Sequence, residues 1–229
     1  MIVSHRHKFI FIKTDKSAGT SIEIALSKFC GSEDIIVPFE PEDEEIRRNL
    51  GYRGPQNYFI PKSSYSAKKW YRYLFKGEQT KYLTHISAEK IRRYIGGKAW
   101  NSYYKFCVVR NPWDRFISFY YWQYKTEPRP SISEVLESKK PLKLQRSGVN
   151  LYTIDGKVVV DKVCFYENLE ADLEEVRLRC GLPEKLILPN AKASFRKDSR
   201  SYREILSKEQ AEKISELLRQ EIDLFGYEF

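Results

Sequence analysis

The sequence lacks the features that mark membrane-spanning, secreted and cysteine-based metal or redox proteins. It has no run approaching the ~20 consecutive apolar residues that a membrane span needs, and residues 1–8 lack the apolar stretch of a signal peptide. Its four cysteines, Cys30, Cys107, Cys164 and Cys180, are too widely separated for a metal-ligand or redox motif. We therefore expect a cytoplasmic protein with reduced thiols, without a membrane span and without a metal site.

Short apolar runs alternate with helical patterns along the chain. The runs at Phe9–Ile12, 106–109 and 163–166 predict buried strands, and each is followed by a pattern typical of an amphipathic helix. The chain has 229 residues, of which 41% are hydrophobic, so it can bury a full core. These patterns predict a single α/β domain over residues 1–229, with a central parallel sheet flanked by helices.

Two segments, 32–80 and 125–160, lack this regular alternation. The first contains an acidic stretch at 38–45, which we expect to be exposed, and a long loop at 51–69. The second contains Asp155-Gly156 between short apolar runs, which predicts a hairpin. Residues 81–85 are interpreted as a strand end, followed by a helix with Ser87 as its cap.

The charge balance indicates an anionic partner without identifying it. The net charge is +9 and the isoelectric point is about 9.2. Nucleic acid, an anionic membrane, a sulfated glycan and a nucleotide all fit such a charge, as does a basic surface that contacts only solvent.

A lysine-containing loop follows the first predicted strand. Residues 13–21 read Lys-Thr-Asp-Lys-Ser-Ala-Gly-Thr-Ser and lead into the start of a helix. Unpaired amide groups at a helix N-terminus suit a phosphate; Lys16 adds charge, and Gly19 allows close approach of the backbone. The loop is not a Walker A motif, because its lysine precedes the glycine. A strand–helix turn with nothing bound is the alternative.

An arginine follows the second predicted strand. Arg110 stands at the carboxyl end of 106–109, where ligands gather in open α/β sheets. Ser118 lies about two helical turns further on, so its hydroxyl and the Arg110 guanidinium can share one phosphate. The alternative is a surface arginine paired with Asp114.

Together these segments resemble sulfotransferases that use 3′-phosphoadenosine 5′-phosphosulfate (PAPS), especially carbohydrate O-sulfotransferases and their soluble bacterial relatives. Residues 16–21 are similar to the family's 5′-phosphosulfate loop, and 110–115 with Ser118 to its 3′-phosphate motif. Segments 163–169 and 223–227 also resemble family segments, whereas 32–80 and 125–155 match poorly. Asp15 stands where the family usually has proline, and Ser17 where it usually has threonine.

The resemblance implies a P-loop-like fold and transfer of a sulfuryl group from PAPS to an acceptor hydroxyl, on a carbohydrate or small molecule, without a metal. It implies that Lys16 is catalytic and that His85 is the base, although His85 can equally be a structural histidine. His5 and His7 are placed in a frayed N-terminus. The implied donor-binding residues are Lys16, Ser17, Ala18, Gly19, Thr20, Ser21, Arg110, Ser118 and Tyr166.

Two other functions remain open from the sequence. A kinase-like phosphoryl transferase would need a Walker A loop and a Mg²⁺-binding acid, and neither is evident. A nucleic-acid-binding module would mix basic and aromatic residues, as 68–73 does; that segment also suits an anionic acceptor or an amphipathic helix. A basic segment that contains Lys192, Ser194, Arg196 and Lys197 either reaches the donor's 3′-phosphate or the acceptor, or forms a solvated loop.

Overall fold

A five-stranded sheet forms the centre of the molecule. The computed structural model describes residues 1–189 and 198–229. The strands of the sheet are β1 (Ile2–Ser4), β2 (Phe9–Ile12), β3 (Ile35–Ile36), β4 (Tyr104–Val109) and β7 (Lys162–Phe165), in the order β3-β1-β2-β4-β7. β2, β4 and β7 are parallel neighbours, and β1 runs antiparallel to β2 and β3. The sheet is therefore mostly parallel, as predicted.

Helices cover the sheet and extend its core. Their bounds are α1 (Gly19–Ser27), α2 (Pro41–Asn49), α3 (Ala67–Lys76), α4 (Ala88–Ile95), α5 (Gly97–Ser102), α6 (Pro112–Gln123), α7 (Ile132–Glu137), α8 (Leu142–Arg146), α9 (Leu169–Arg179), α10 (Tyr202–Ile205), α11 (Lys208–Leu217) and α12 (Arg219–Phe225). Two-residue strands, β5 (Thr153–Ile154) and β6 (Lys157–Val158), form the hairpin predicted around Asp155-Gly156.

The alternation of side chains along each strand produces two apolar layers. Phe9 and Phe11 of β2 pack with α1 and α9 on one face of the sheet, while Ile10 and Ile12 pack with α4 and α5 on the other. Such two-sided burial explains why the parallel strands read as continuous apolar runs. A third apolar cluster joins α6 to α7, α8 and α11.

The N-terminus differs from the sequence-based expectation. It does not fray: β1 lies inside the sheet, and the Met1 α-amino group is buried in an ion pair with Glu23. Asp34 holds the turn after β1, because its carboxylate accepts hydrogen bonds from the backbone amides of His5 and Arg6 at 2.6 and 3.0 Å. The placement of His5 and His7 in a frayed segment was therefore wrong.

The acidic stretch also differs in part from its prediction. The second half of this stretch, from Pro41, begins α2, and Asp43 in that helix is buried rather than exposed. The ring of Phe39 lies between the cations of Lys13 and Arg47, at 4.3 and 4.2 Å, and so attaches this segment to the domain. Residues 81–85 form no strand; only Lys81 makes an isolated bridge, to Phe59.

Candidate functional site

The three parallel strands end at one edge of the sheet. Ile12 pairs with Cys107, and Val109 pairs with Phe165, so the segments that follow β2, β4 and β7 are neighbours in space. The lysine loop follows β2, Arg110 follows β4 and Tyr166 follows β7. The topology thereby brings three separately predicted parts of the site together, at the sheet edge where α/β proteins bind ligands.

The lysine loop is folded tightly against β4. Thr14 donates its hydroxyl hydrogen to the carbonyl of Val108, and the Ser17 hydroxyl lies 2.5 Å from Thr14 Oγ1. Since Thr14 has a single hydroxyl hydrogen, Ser17 is the donor in the second bond. Lys16 and Ala18 both adopt left-handed backbone conformations, with φ of 65° and 59°. With these two left-handed residues the loop turns directly into α1, which begins at Gly19.

The start of α1 leaves backbone amides available to an anion. The first intrahelical bond runs from the Ile22 amide to the Ala18 carbonyl at 3.1 Å, and Ala18, as the N-cap residue, has no side-chain acceptor. The amides of Gly19, Thr20 and Ser21 precede that bond and point out of the helix end. Together with the helix dipole they form an anion-binding end.

Lys13 explains why a glycine stands at position 19. Its buried ammonium donates to Glu23 at 2.7 Å and to Thr20 Oγ1 at 3.1 Å. To reach them, the stem of Lys13 crosses directly over Gly19, where an added Cβ would lie 2.6 Å from Lys13 Cγ. The glycine is therefore needed for packing as well as for ligand approach.

Arg110 contacts both neighbouring parts of the site. Its guanidinium lies 4.1 Å from the centre of the Tyr166 ring, and Nη1 donates to the Lys16 carbonyl at 3.3 Å. Nε donates to Asp114 at 2.7 Å, and Nη2 also pairs with Asp114 at 2.6 Å. The pairing with Asp114 thus occurs, but it coexists with the contact to the lysine loop. Three of the five N–H groups of Arg110 are engaged in this way.

Ser118 lies on α6, but the described part of the chain gives it no hydrogen bond to Arg110. The rest of the second motif is structural. The Asn111 side chain caps α6 by accepting hydrogen bonds from the backbone amides of Trp113 and Asp114. The backbone amide of Asn111 donates to the Glu167 carboxylate at 2.6 Å. This last bond ties the segment after β4 to the segment after β7.

His85 is held in a defined tautomer beside the lysine loop. Its Nδ1 is 3.0 Å from the Lys13 carbonyl, which can only accept a hydrogen bond, so Nδ1 carries the proton. Nε2 then has a free lone pair, and it lies 3.9 Å from Asp15 Oδ1. Burial lowers the pKa of His85 to about 4, with Asp15 opposing that shift. A neutral imidazole with an available Nε2 is the form required of a base.

Asp15 is a buried acid within the loop. Its carboxylate lies 3.5 Å from the Lys143 ammonium and faces His85 on the other side. Burial alone would raise the pKa of Asp15, but His85, Lys143, Lys16 and Arg115 together lower it below its ordinary value. The carboxylate is therefore ionised, and the loop tolerates it because cations surround it.

Arg115 fixes the backbone of the same residue. It donates from Nε to the Asp15 carbonyl at 3.0 Å and from Nη2 to the Leu144 carbonyl at 2.6 Å, and it forms a buried ion pair with Glu221. One guanidinium thus connects the lysine loop to α8 and α12.

A cavity of about 580 Å³ lies over these groups, within the size range of ligand pockets. Its described lining includes the whole loop from Lys13 to Ser21, together with His85, Trp122, Lys143 and Tyr166. Arg110 and Ser118 are not among those lining residues; Arg110 borders the cavity through its contacts with Lys16 and Tyr166.

The sulfotransferase family model matches residues 1–153, which include the lysine loop, His85, Arg110 and Ser118. The chain belongs to the sulfotransferase family. An uncharacterized protein of Archaeoglobus fulgidus is 33% identical over 104 residues, covering 44% of this chain and 87% of that protein. No solved structure matches the chain.

This sulfotransferase also has site residues that the sequence reasoning missed. The ammonium groups of Lys16 and Lys143 lie 4.7 and 4.6 Å from the centre of the Trp122 ring. Trp122 stands four residues after Ser118 and thus one helical turn away, which was a usable signal. Lys143 lies in the poorly matching segment 125–155 and gave no signal.

In residues 1–189 and 198–229 of the sulfotransferase, no group of three or more His, Cys, Asp or Glu side chains is placed to hold a metal ion. No helix within these ranges is both long and apolar enough to cross a membrane. The predicted basic segment with Lys192, Ser194, Arg196 and Lys197 lies outside the described residues.

Proposed function

We propose that this sulfotransferase takes the sulfuryl group from PAPS and transfers it to an acceptor hydroxyl on a carbohydrate or small molecule. The observation that carries the proposal is the contact between the two motifs: the Arg110 guanidinium donates to the Lys16 carbonyl at 3.3 Å and stacks on Tyr166 at 4.1 Å. The lysine loop lines the cavity and Arg110 borders it, so the candidate phosphate-binding groups of two strand ends are neighbours, as a nucleotide with phosphates at both ends of its ribose would require.

The lysine loop would bind the 5′-phosphosulfate. The amides of Ser17, Ala18, Gly19, Thr20 and Ser21 and the hydroxyls of Thr20 and Ser21 supply donors at the positive end of α1. Lys16, from the same loop, would stabilise the charge that develops on the oxygen bridging phosphorus and sulfur. Such fixed donors act as an oxyanion hole does, because they need no reorganisation during the reaction.

Arg110 would bind the 3′-phosphate with the N–H groups that Asp114 and Lys16 leave available. Ser118 would add a hydroxyl to the same phosphate. Tyr166, which lines the cavity and contacts Arg110, would contact the adenine with its ring. These contacts would hold the donor at both ends and orient the sulfur toward the acceptor.

His85 would accept the acceptor's proton at Nε2. The acceptor oxygen forms a bond to sulfur while the bond from sulfur to the 5′-phosphate oxygen breaks, and adenosine 3′,5′-bisphosphate leaves with that electron pair. The resulting imidazolium would lie next to the ionised Asp15, with Nε2 3.9 Å from Oδ1. Asp15 is therefore interpreted as a positioning residue that stabilises the charged form of the base.

The two other functions have weaker support. A kinase would place a Mg²⁺-binding acid at the phosphates, whereas Asp15 in this loop already lies near Lys143 and His85. A nucleic-acid-binding module does not require a cavity lined by both the lysine loop and His85.

The proposal is tested by thermal unfolding with adenosine 3′,5′-bisphosphate in the absence of Mg²⁺. We expect this ligand to raise the melting temperature, and ATP, which has no 3′-phosphate, to raise it much less. Stabilisation by ATP with Mg²⁺ but not by the bisphosphate would instead support the kinase.

Two arginine variants locate the binding site. Arg110→Ala should weaken bisphosphate binding by about tenfold or more, because a charge-assisted pair is lost. Arg93→Ala is the matched control, since the Arg93 guanidinium also lies against a tyrosine ring, at 5.0 Å, but that residue, Tyr94, does not line the cavity as Tyr166 does. Equal affinity of the two variants for the bisphosphate would show that Arg110 does not bind the donor.

A further inference from the structure

Two backbone hydrogen bonds join the chain segments on either side of α3. The Ile60 amide donates to the Thr80 carbonyl at 2.9 Å, and the Tyr82 amide to the Tyr58 carbonyl at 2.8 Å. The chain between these bonds contains α3. Not one residue of α3 is buried.

One side of α3 attaches the helix to the domain through aromatic contacts. The Tyr73 ring lies 6.1 Å from Tyr65, edge to face, and Trp70 lies 5.6 Å from Tyr65. Lys69 donates to the Tyr94 hydroxyl at 3.1 Å. This side therefore has its partners within the protein.

The opposite side exposes large apolar groups to solvent. Leu74 and Phe75 are 67% and 74% exposed, and Tyr71 is 56% exposed. Leu74 and Phe75 follow Tyr71 by three and four positions, so all three share one helix face, and the ring centres of Tyr71 and Phe75 are 4.8 Å apart. Aromatic and aliphatic groups this exposed, on a face that residues 1–189 and 198–229 leave uncovered, favour a partner with an apolar interior.

A basic stripe runs beside the apolar face. Lys68, Arg72 and Lys76 are exposed and spaced four residues apart, which places them in one row along the helix. The segment 62–81, which contains α3, has six lysine or arginine residues and a single acidic residue, Glu78, which pairs with Arg72. The stripe therefore adds strong attraction for an anionic surface next to the apolar face.

We propose that α3 docks this protein on anionic membrane surfaces, with Tyr71, Leu74 and Phe75 among the acyl chains and the basic stripe against the headgroups. An amphipathic helix that separates apolar from basic residues in this way lies in the plane of a membrane interface. A nucleic acid or sulfated glycan would engage the basic stripe but would not cover Leu74 and Phe75. The proposal does not depend on the donor or on the reaction.

The test is co-sedimentation of the full chain with vesicles of phosphatidylcholine alone and of phosphatidylcholine mixed with phosphatidylserine. We expect binding to the mixed vesicles that weakens as salt is raised, and much weaker binding to neutral vesicles. Lys68→Gln with Lys76→Gln should lower the affinity by about tenfold or more, because each basic residue near such a surface contributes about 1 kcal/mol.

Two leucine variants separate insertion from charge attraction. Leu74→Ser should lower the affinity for mixed vesicles by about tenfold, since an apolar side chain no longer leaves water. Leu178→Ser is the control, because Leu178 is similarly exposed, at 64%, but belongs to another helix, α9. Circular dichroism establishes that both variants fold.

Absence of binding to mixed vesicles at low salt would refute the proposal. So would equal affinities of Leu74→Ser and Leu178→Ser for these vesicles, because α3 would then not insert. Binding to oligonucleotides or heparin that Leu74→Ser leaves unchanged, together with no vesicle binding, would assign the surface to a polyanion instead.

Discussion

The low pKa of His85 predicts a specific loss of stability in acid. Burial lowers the pKa of this imidazole from 6.5 to about 4. Between these values the unfolded chain binds a proton at His85 that the folded chain does not, so the free energy of unfolding falls as the pH falls from 6.5 to 4. Above pH 6.5 both states are neutral, and below pH 4 both are protonated, so this contribution changes no further.

The size of the effect follows from the same two values. A pKa difference of this size corresponds to about 3 kcal/mol over the whole interval. At pH 5 about 2 kcal/mol of it has been lost, because the unfolded imidazole is already almost fully protonated there. That loss is large against the ~5–15 kcal/mol stability of typical domains.

The measurement compares wild type with His85→Asn by urea unfolding at pH 7.5 and pH 5. Asparagine keeps a donor near the Lys13 carbonyl but does not titrate, so the other ionisable groups cancel in the comparison. Wild type should lose about 2 kcal/mol more than the variant between the two pH values. Parallel losses would mean that His85 titrates normally in the folded protein, and the argument for a buried, neutral base would fail.

Two further predictions concern residues that hold the lysine loop. Gly148→Ala would place a Cβ 2.6 Å from Glu221 Oε1 and 2.7 Å from Arg115 Nη1, so the free energy of unfolding measured with urea should fall by roughly 1–3 kcal/mol. Gly97→Ala is the control, because open space surrounds Gly97 and the free energy of unfolding should change little. Equal losses in the two variants would contradict the packing argument. Asp15→Asn removes the charge 3.9 Å from His85 Nε2, so kcat should fall by at least about fivefold. The pKa of His85 should also fall further, which an NMR titration of the imidazole ring detects. An unchanged pKa of His85 would exclude Asp15 as its partner.

The parallel part of the sheet was predictable from local sequence. β2 and β4 bury both faces, so their apolar runs identify them without any knowledge of their neighbours. The start of α6 was equally local, because Asn111 and Pro112 form a cap and a first turn within four residues.

The N-terminal strand was not predictable in this way. β1 has only three residues and no readable period. It is ordered by pairing with β2 and β3, by the buried ion pair of Met1 with Glu23, and by Asp34, which holds the following turn. Each of these partners lies at a distance along the chain that local patterns do not reach.

The same division applies to the candidate site. The sequence alone determined that a lysine loop and an arginine each follow a buried strand, because strand, turn and helix signals are short-range. Only the tertiary structure decided that these strands are neighbours, that partial burial lowers the pKa of His85, and that Lys143 lies beside Asp15. Burial and ion pairing depend on which distant segments pack together, and that information is distributed over the whole chain.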